Sequence, residues 1–276
     1  MGTSADASDE PAGPGPTPYL PEPTGPYPAG TTSLHLEDTS RPDPWVAGAV
    51  ARELMISLWY PATSSDGRRA EYMTPAESEF QLTSRGITGV PSDTLSRVRT
   101  NAVSDATPAG RQRSLPLVVL SPGFTNSRSV LTALAEDLAS YGYVVAGIDH
   151  TYESFATAFP DGRVTTCLAR EARRRGTGFW EKIVTGRAAD VSFVLGELTG
   201  AHPAWPGAAL IDRSRIAMAT PSAAQPPSPS CSPTLASVPA STWTAPRTPR
   251  SRTTACPGHF CSWASNPTTP PEAEAP

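Results

Sequence analysis

"LPLVVLSPGFTNSRSVLTALAEDLASYGYVVAGIDH", residues 115–150, decides the fold of this chain. Leu115 to Leu120 is a short unbroken apolar run, the pattern of a strand covered on both faces. SPGF, residues 121–124, turns the chain. Ser127 or Ser129 is placed to cap a helix, and Val130, Leu131, Leu134 and Leu138 recur behind it at helical spacing. Gly142 ends that helix, and YVVAGID (143–149) reads as a second buried strand. Strand, helix and strand of these lengths make a βαβ unit, which requires a parallel pair.

The same alternation extends to either side. TTSLHLED (31–38) and RELMISLWYPA (52–62) are strand-like, the second alternating Leu54, Ile56, Leu58 until Pro61 stops it. This pair suits antiparallel strands at the start of a sheet. In TPAESEFQLTSRG (74–86), Thr74 as N-cap, Pro75 at N1 and Glu77 at N3 spell a helix start. FWEKIVTGRAADVSFVLGELTG (179–200) predicts a long helix with Ile183, Val191, Val194, Leu195 and Leu198 inward. DRSRIAMA, from Asp212, returns to a strand at 215–219. The fold class is α/β, with a mainly parallel sheet and flanking helices.

Composition bounds what surrounds that core. The chain has 276 residues, 38% apolar and 17% charged, with 32 prolines, far above ordinary usage. Thirteen of them fall in residues 221–276, and others cluster in 11–30. The expected organisation is therefore a Pro/Gly-rich leader over 1–30, an α/β domain over 31–219, and a Pro/Ser/Thr-rich tail over 220–276, with leader and tail unstructured. A net charge of −4 gives no basic footprint for nucleic acid. The basic run AREARRRG (169–176) reads as a solvated helix face or loop. No stretch of 18 apolar residues suggests a transmembrane helix. The acidic start has no apolar signal segment, so the location expected by default is cytoplasmic. Cys167, Cys231, Cys256 and Cys261 show no paired spacing, and the four histidines are scattered; no metal site is expected.

The blocks PYPAGTTSLHLEDTSRPDPW, RELMISLWYPA, residues 115–153, the helix carrying Arg187 and Asp190, and IDRSRIAMA together resemble the platelet-activating-factor acetylhydrolase-like branch of the α/β-hydrolases, in its bacterial form. The resemblance covers about residues 20–219, and the 115–150 block is shared with the related cutinase-like polyesterases. It implies a serine ester hydrolase without metal or organic cofactor. The substrate would be a small ester or a phospholipid acetyl group, and relatives are often exported. The backbone N–H of Phe124, with Gly123 shaping the turn, would then be one oxyanion donor. A plain β-turn fits the same SPGF residues.

In this branch the strand at 215–219 should deliver a G-x-S-x-G nucleophile elbow. The chain instead reads AMATPSAAQP, and Pro221 stands where the serine is expected. Ser222 has no glycines around it and a proline beside it, so it is no nucleophile. Asp149 and His150 follow a strand, but triad order in this fold is serine, acid, histidine, which puts both too early. Structural or substrate-pocket roles are expected for them.

The genetic code offers a further reading. In the frame starting one nucleotide earlier, the codon overlapping Met218 and Ala219 is GGC, glycine, and the next five overlaps permit H-S-L-G-G; the serine requires Thr220 to be encoded ACT. PASTWTA (239–245) permits G-I-N-L-D-G-T, with the aspartate forced, and PGHFCSW (257–263) permits R-P-F-L-L-M-G. These resemble, in order, the elbow, the acid-bearing strand end and the next strand of the family. The expectation is that residues 220–276 are out-of-frame translation, that the family's histidine lies beyond Pro276, and that the chain as written is an inactive, incomplete hydrolase. The competing class is a non-catalytic scaffold displaying Pro-rich ligands such as QPPSPS and PTTPPE.

Overall fold

The computed structural model describes residues 17–174 and 178–220, all within the first of two compact units, Met1–Trp243. The calls made for 1–16 and 221–276, Pro221 and Ser222 among them, lie outside the described residues.

Two long strands, β1 (Ala29–Asp38) and β2 (Arg52–Pro61), pair antiparallel along their full length, from Ala29 opposite Pro61 to Asp38 opposite Arg52. A short β3 (Arg69–Glu71) leads to α1 (Pro75–Ser84) and then β4 (Arg99–Ser104). The expected capping box of α1 is complete: the Thr74 hydroxyl accepts from the Glu77 N–H, and the Glu77 carboxylate accepts from the Thr74 N–H. Next come β5 (Leu115–Leu120), α2 (Thr132–Ser140) and β6 (Val144–Asp149), followed by a small hairpin, β7 (Thr157–Ala158) and β8 (Val164–Thr165). The short α3 (Ala169–Arg173), the long α4 (Phe179–Thr199) and β9 (Ile211–Ala219) complete the order.

The seven-stranded sheet runs β3-β4-β1-β2-β6-β5-β9. Strands β6, β5 and β9 are parallel, and β2 joins them antiparallel through β6. Both faces of the centre are dry, which is why its strands read as unbroken apolar runs. Leu117 and Val119 of β5 point into one core with Val191, Val194 and Leu198 of α4. Val118 and Leu120 point the other way, into a second core with Trp59, Leu131, Ala135 and Ala139. The chain leaves β5 towards β6 through α2, then passes back beyond β5 to β9 through α4. Crossovers of one hand therefore place the two helices on opposite faces. The reversal of strand order at β5 opens a crevice at the carboxyl ends of β5 and its neighbours, where open α/β sheets bind their ligands.

Three details differ from expectation. Segment 17–28, assigned to the leader, is built into the fold: Leu20 N–H bonds Arg99 O at 2.9 Å, Thr24 N–H bonds Asp137, and Gly25 N–H bonds the Ser140 hydroxyl at 2.9 Å. A Cβ at Gly25 would lie 2.3 Å from the Ser140 carbonyl oxygen, so only glycine permits this approach. The helix after the SPGF turn begins as a 3-10 turn over Arg128–Leu131, which shifts the phase of α2. Val130 and Leu134 consequently face outward, and the buried stripe is Leu131, Ala135, Glu136 and Ala139. Neither Ser127 nor Ser129 caps it through a side chain; the Ser127 hydroxyl instead donates to Ser129 and accepts from Gln81. Leu195 of α4 is only partly buried, while Ile183, Val191, Val194 and Leu198 are inward as read.

Candidate active site

The SPGF turn leaves β5 at the crevice. Ser121 N–H still belongs to the sheet, donating to Ala219 O of β9 at 3.1 Å. Beyond it the chain must reverse towards α2. Asn126 N–H closes a turn onto Gly123 O at 3.0 Å, and Thr125 takes a left-handed conformation at φ 74°. A non-glycine residue there costs roughly 1 kcal/mol or more, and two bonds hold it: Thr125 N–H to Glu153 O at 2.9 Å, and Phe155 N–H to Thr125 O at 3.1 Å. Among the described residues the Phe124 N–H donates to nothing. The Gly123 N–H is likewise without an acceptor among the described residues, so the SPGF turn leaves two successive amides uncommitted. The Phe124 ring packs edge-on against Phe179 and Trp180, with centroids 5.4 and 5.8 Å away.

Beneath the turn lies a buried polar network. Arg187 of α4 donates to Pro122 O at 2.6 Å and, through Nε, to Glu153 at 2.7 Å. The other oxygen of Glu153 accepts from the Trp45 indole at 3.1 Å. His150 Nε2 lies 2.8 Å from the Ser121 hydroxyl, and its Nδ1 lies 2.7 Å from Asp190. Asp190 also receives Arg52 and Arg41, and Arg52 continues to Asp43 and to Thr151 O at 2.7 Å each. Arg187 and Asp190 sit three residues apart, on one face of α4, so both point inward where the helix meets the sheet.

Burial opposes charge on Asp190, but the Arg52 charge and the bonds from His150 and Arg52 outweigh it and hold the carboxyl well below its ordinary range. Burial, reinforced by the Arg187 charge, lowers the His150 pKa against the pull of Asp190 and Glu153. Neutral His150 beside ionised Asp190 keeps its proton on Nδ1, leaving Nε2 to accept from Ser121. The serine, histidine and aspartate thus share the hydrogen-bond pattern of a hydrolytic triad. All three are at most 2% exposed, with no room for an ester. They act as a clamp on the turn.

Of the structural or substrate-pocket roles expected for His150 and Asp149, the hydrogen bonds of this network are structural ones. Asp149 pairs with Arg128, whose N–H also donates to it at 2.6 Å. Burial pushes its pKa up to about 6 despite the Arg128 charge. Sequence reasoning missed Ser121, Glu153 and Arg52; the available signal was polar side chains interrupting apolar runs at strand ends. Among the described residues no group of three His, Cys, Asp or Glu could hold a metal ion, and Cys167 is a free thiol.

A family model described as platelet-activating factor acetylhydrolase, isoform II, matches residues 15–167. The chain belongs to that family. Platelet-activating factor acetylhydrolase relatives include a probable 1-alkyl-2-acetylglycerophosphocholine esterase from Arthroderma benhamiae, 27% identical over 197 residues, which are 67% of this chain and 50% of that protein. The platelet-activating factor acetylhydrolase of Cavia porcellus is 28% identical over 145 residues, 51% of this chain and 30% of its own length. The chain thus spans half or less of the curated relatives it matches. A ferulic acid esterase structure from Streptomyces cinnamoneus superposes with a TM-score of 0.62 at 43% identity, covering 74% of this chain and 55% of that one. The fold is that of the α/β-hydrolases, as the acetylhydrolase membership and this esterase neighbour agree. No helix among the described residues is long and apolar enough to cross a membrane.

Proposed function

We propose that this chain is the amino-terminal part of a serine carboxylic-ester hydrolase acting on short acyl esters or phospholipid acetyl groups, and that as written it does not turn over. The observation carrying this reading is the unpaired Phe124 N–H at the carboxyl end of β5, one strand from the end of β9. In the proposed enzyme a serine stands at the position of Pro221, in the turn after β9, and its hydroxyl attacks the ester carbonyl. A histidine takes the serine proton and returns it to the leaving alcohol, an aspartate orients that histidine, and the Phe124 N–H and the amide after the serine hold the oxyanion. No metal or organic cofactor takes part.

Residues 220–276 are read as out-of-frame translation. In support, the upstream frame permits an elbow, an acid and a following strand in family order. The out-of-frame tail supplies neither the serine nor the acid, which accounts for the proposed inactivity.

Two measurements test this. The gene's nucleotide sequence after codon 219 should contain G-H-S-L-G-G in the upstream frame; a stop codon or another sequence there ends the frame hypothesis. The full chain should not hydrolyse p-nitrophenyl acetate above buffer, and the gene restored to the upstream frame should do so with loss on changing its elbow serine. Hydrolysis by the full chain itself would overturn the inactivity, and an inert frame-restored protein would overturn the esterase assignment.

A further inference from the structure

A second concavity lies between the β1–β4 side of the sheet, the start of α1 and the start of α2. It has a volume of about 370 Å³, within the usual range for small-ligand pockets. Its walls are unlike an apolar acyl pocket: nine of its eighteen lining residues are serine or threonine.

The charges around it are already spent. Arg128 is held by Asp149 and donates to the Ser57 hydroxyl, and Glu77 accepts from Thr74 and from the Ala158 N–H. Arg68 pairs with Glu71, and Asp105 accepts from Thr32. The uncommitted groups are neutral. The hydroxyls of Thr31, Ser104 and Thr132, the Trp59 indole N–H and the Tyr72 phenol make no side-chain hydrogen bond among the described residues. Trp59 is 97% buried, since only 3% of its surface is exposed. No fully buried side-chain nitrogen or oxygen among the described residues lacks a partner, so the unpaired atoms of these five must reach open space. These residues are largely buried while their unpaired polar atoms open onto the cavity, so the hydrogen-bonding capacity they offer is directed at whatever occupies it.

We propose that this cavity binds a neutral, polyhydroxylated ring, a monosaccharide or a cyclic polyol. Such a ligand offers several paired donors and acceptors on one compact body. It suits five uncommitted neutral groups that include two aromatic side chains. An anionic ligand would find both arginines engaged. Burial raises the Tyr72 pKa, so the phenol remains a donor at neutral pH. This proposal does not rest on the esterase reading, because none of the uncommitted groups belongs to the Phe124 turn.

The test is saturation-transfer NMR on the full chain with xylose, arabinose, glucose and myo-inositol, with glycerol as an acyclic comparison. At least one cyclic ligand should receive saturation more strongly than glycerol. Ser104→Ala and Trp59→Phe, which keeps an aromatic ring but removes the N–H, should each weaken its binding by at least roughly three- to tenfold, the loss of one hydrogen bond. Should Trp59→Phe fail to fold, Ser104→Ala and Thr132→Val carry the test. No transfer to any cyclic ligand, or transfer that every folded variant leaves unchanged, would overturn the proposal and leave a cavity holding only water.

Discussion

Arg187, midway along α4, donates at 2.6 Å to the carbonyl oxygen of Pro122, sixty-five residues earlier in the chain. The bond fixes the residue two before Phe124, and the same guanidinium grips Glu153, whose carbonyl receives Thr125 N–H. One side chain thus holds the turn from both sides. Replacing Arg187 by methionine keeps most of its bulk but strands the Glu153 carboxylate. A loss of about 3 kcal/mol is expected in urea unfolding. A change below about 1 kcal/mol would mean the clamp is not formed.

Asp190 is the hub of the network, meeting His150, Arg52 and Arg41 with no exposure to water. Asp190→Asn retains shape but leaves buried Arg52 without its main counter-charge. The expected cost is about 3–5 kcal/mol, seen as a lower midpoint at unchanged denaturant slope.

His150 sets an acid limit on stability. Burial depresses its folded pKa below the unfolded value of 6.5, so as pH falls through 6.5 the unfolded chain takes up a proton that the native state refuses. Stability is lost downward from that point. Asp149 has the opposite sign: its folded pKa of about 6 lies above 3.8, so the native state protonates first and gains stability over that interval. Comparing the full chain with His150→Gln separates the two. Relative to the variant, the parent should lose stability between pH 7.5 and 5.5, and parallel urea midpoints across that range would contradict the assignment.

Glu136 is a carboxylate on the buried face of α2, accepting from the N–H groups of Asn101 and Ala102 and from the Asn101 side chain. Burial raises its pKa against those bonds. Glu136→Ala should cost about 2–3 kcal/mol by leaving the buried Ala102 amide and the half-buried Asn101 amide unpaired, and Glu136→Gln clearly less. Hydrogen exchange should speed at the amides of β4 in the alanine variant ahead of those of β5.

The approach of Gly25 to Ser140 admits no side chain, so Gly25→Ala should detach the 17–28 segment while sparing the sheet. Limited proteolysis should then cut near Tyr19 to Tyr27 in the variant at protease levels that leave the parent intact.

The α/β class, the βαβ unit over 115–150 and the long helix over 179–199 were legible because each rests on a local pattern: an apolar run, a helical period, a glycine stop. The inward face of α2 was not, because its period starts after a 3-10 turn and because alanines, not leucines, fit against Trp59. The packing of residues 17–28 was hidden for a related reason. Proline and glycine look alike in a loose leader and in a strap held by bonds to distant partners. At the site, the SPGF turn could be read from the chain, but the clamp could not. Ser121, His150, Glu153 and Asp190 are brought together by topology, and no spacing in one dimension announces them.

The pairing of β9 with β5 has a consequence for the proposed frame reading. Ala219 lies level with Leu120 and its carbonyl accepts from Ser121 N–H, so the chain leaves β9 at the same end of the sheet as the SPGF turn whichever codons follow. The scaffold stores an address while the sequence beyond 219 supplies the message. Under the frame reading, restoring the reading frame would send a serine to a receiver already assembled, with no strand to be moved.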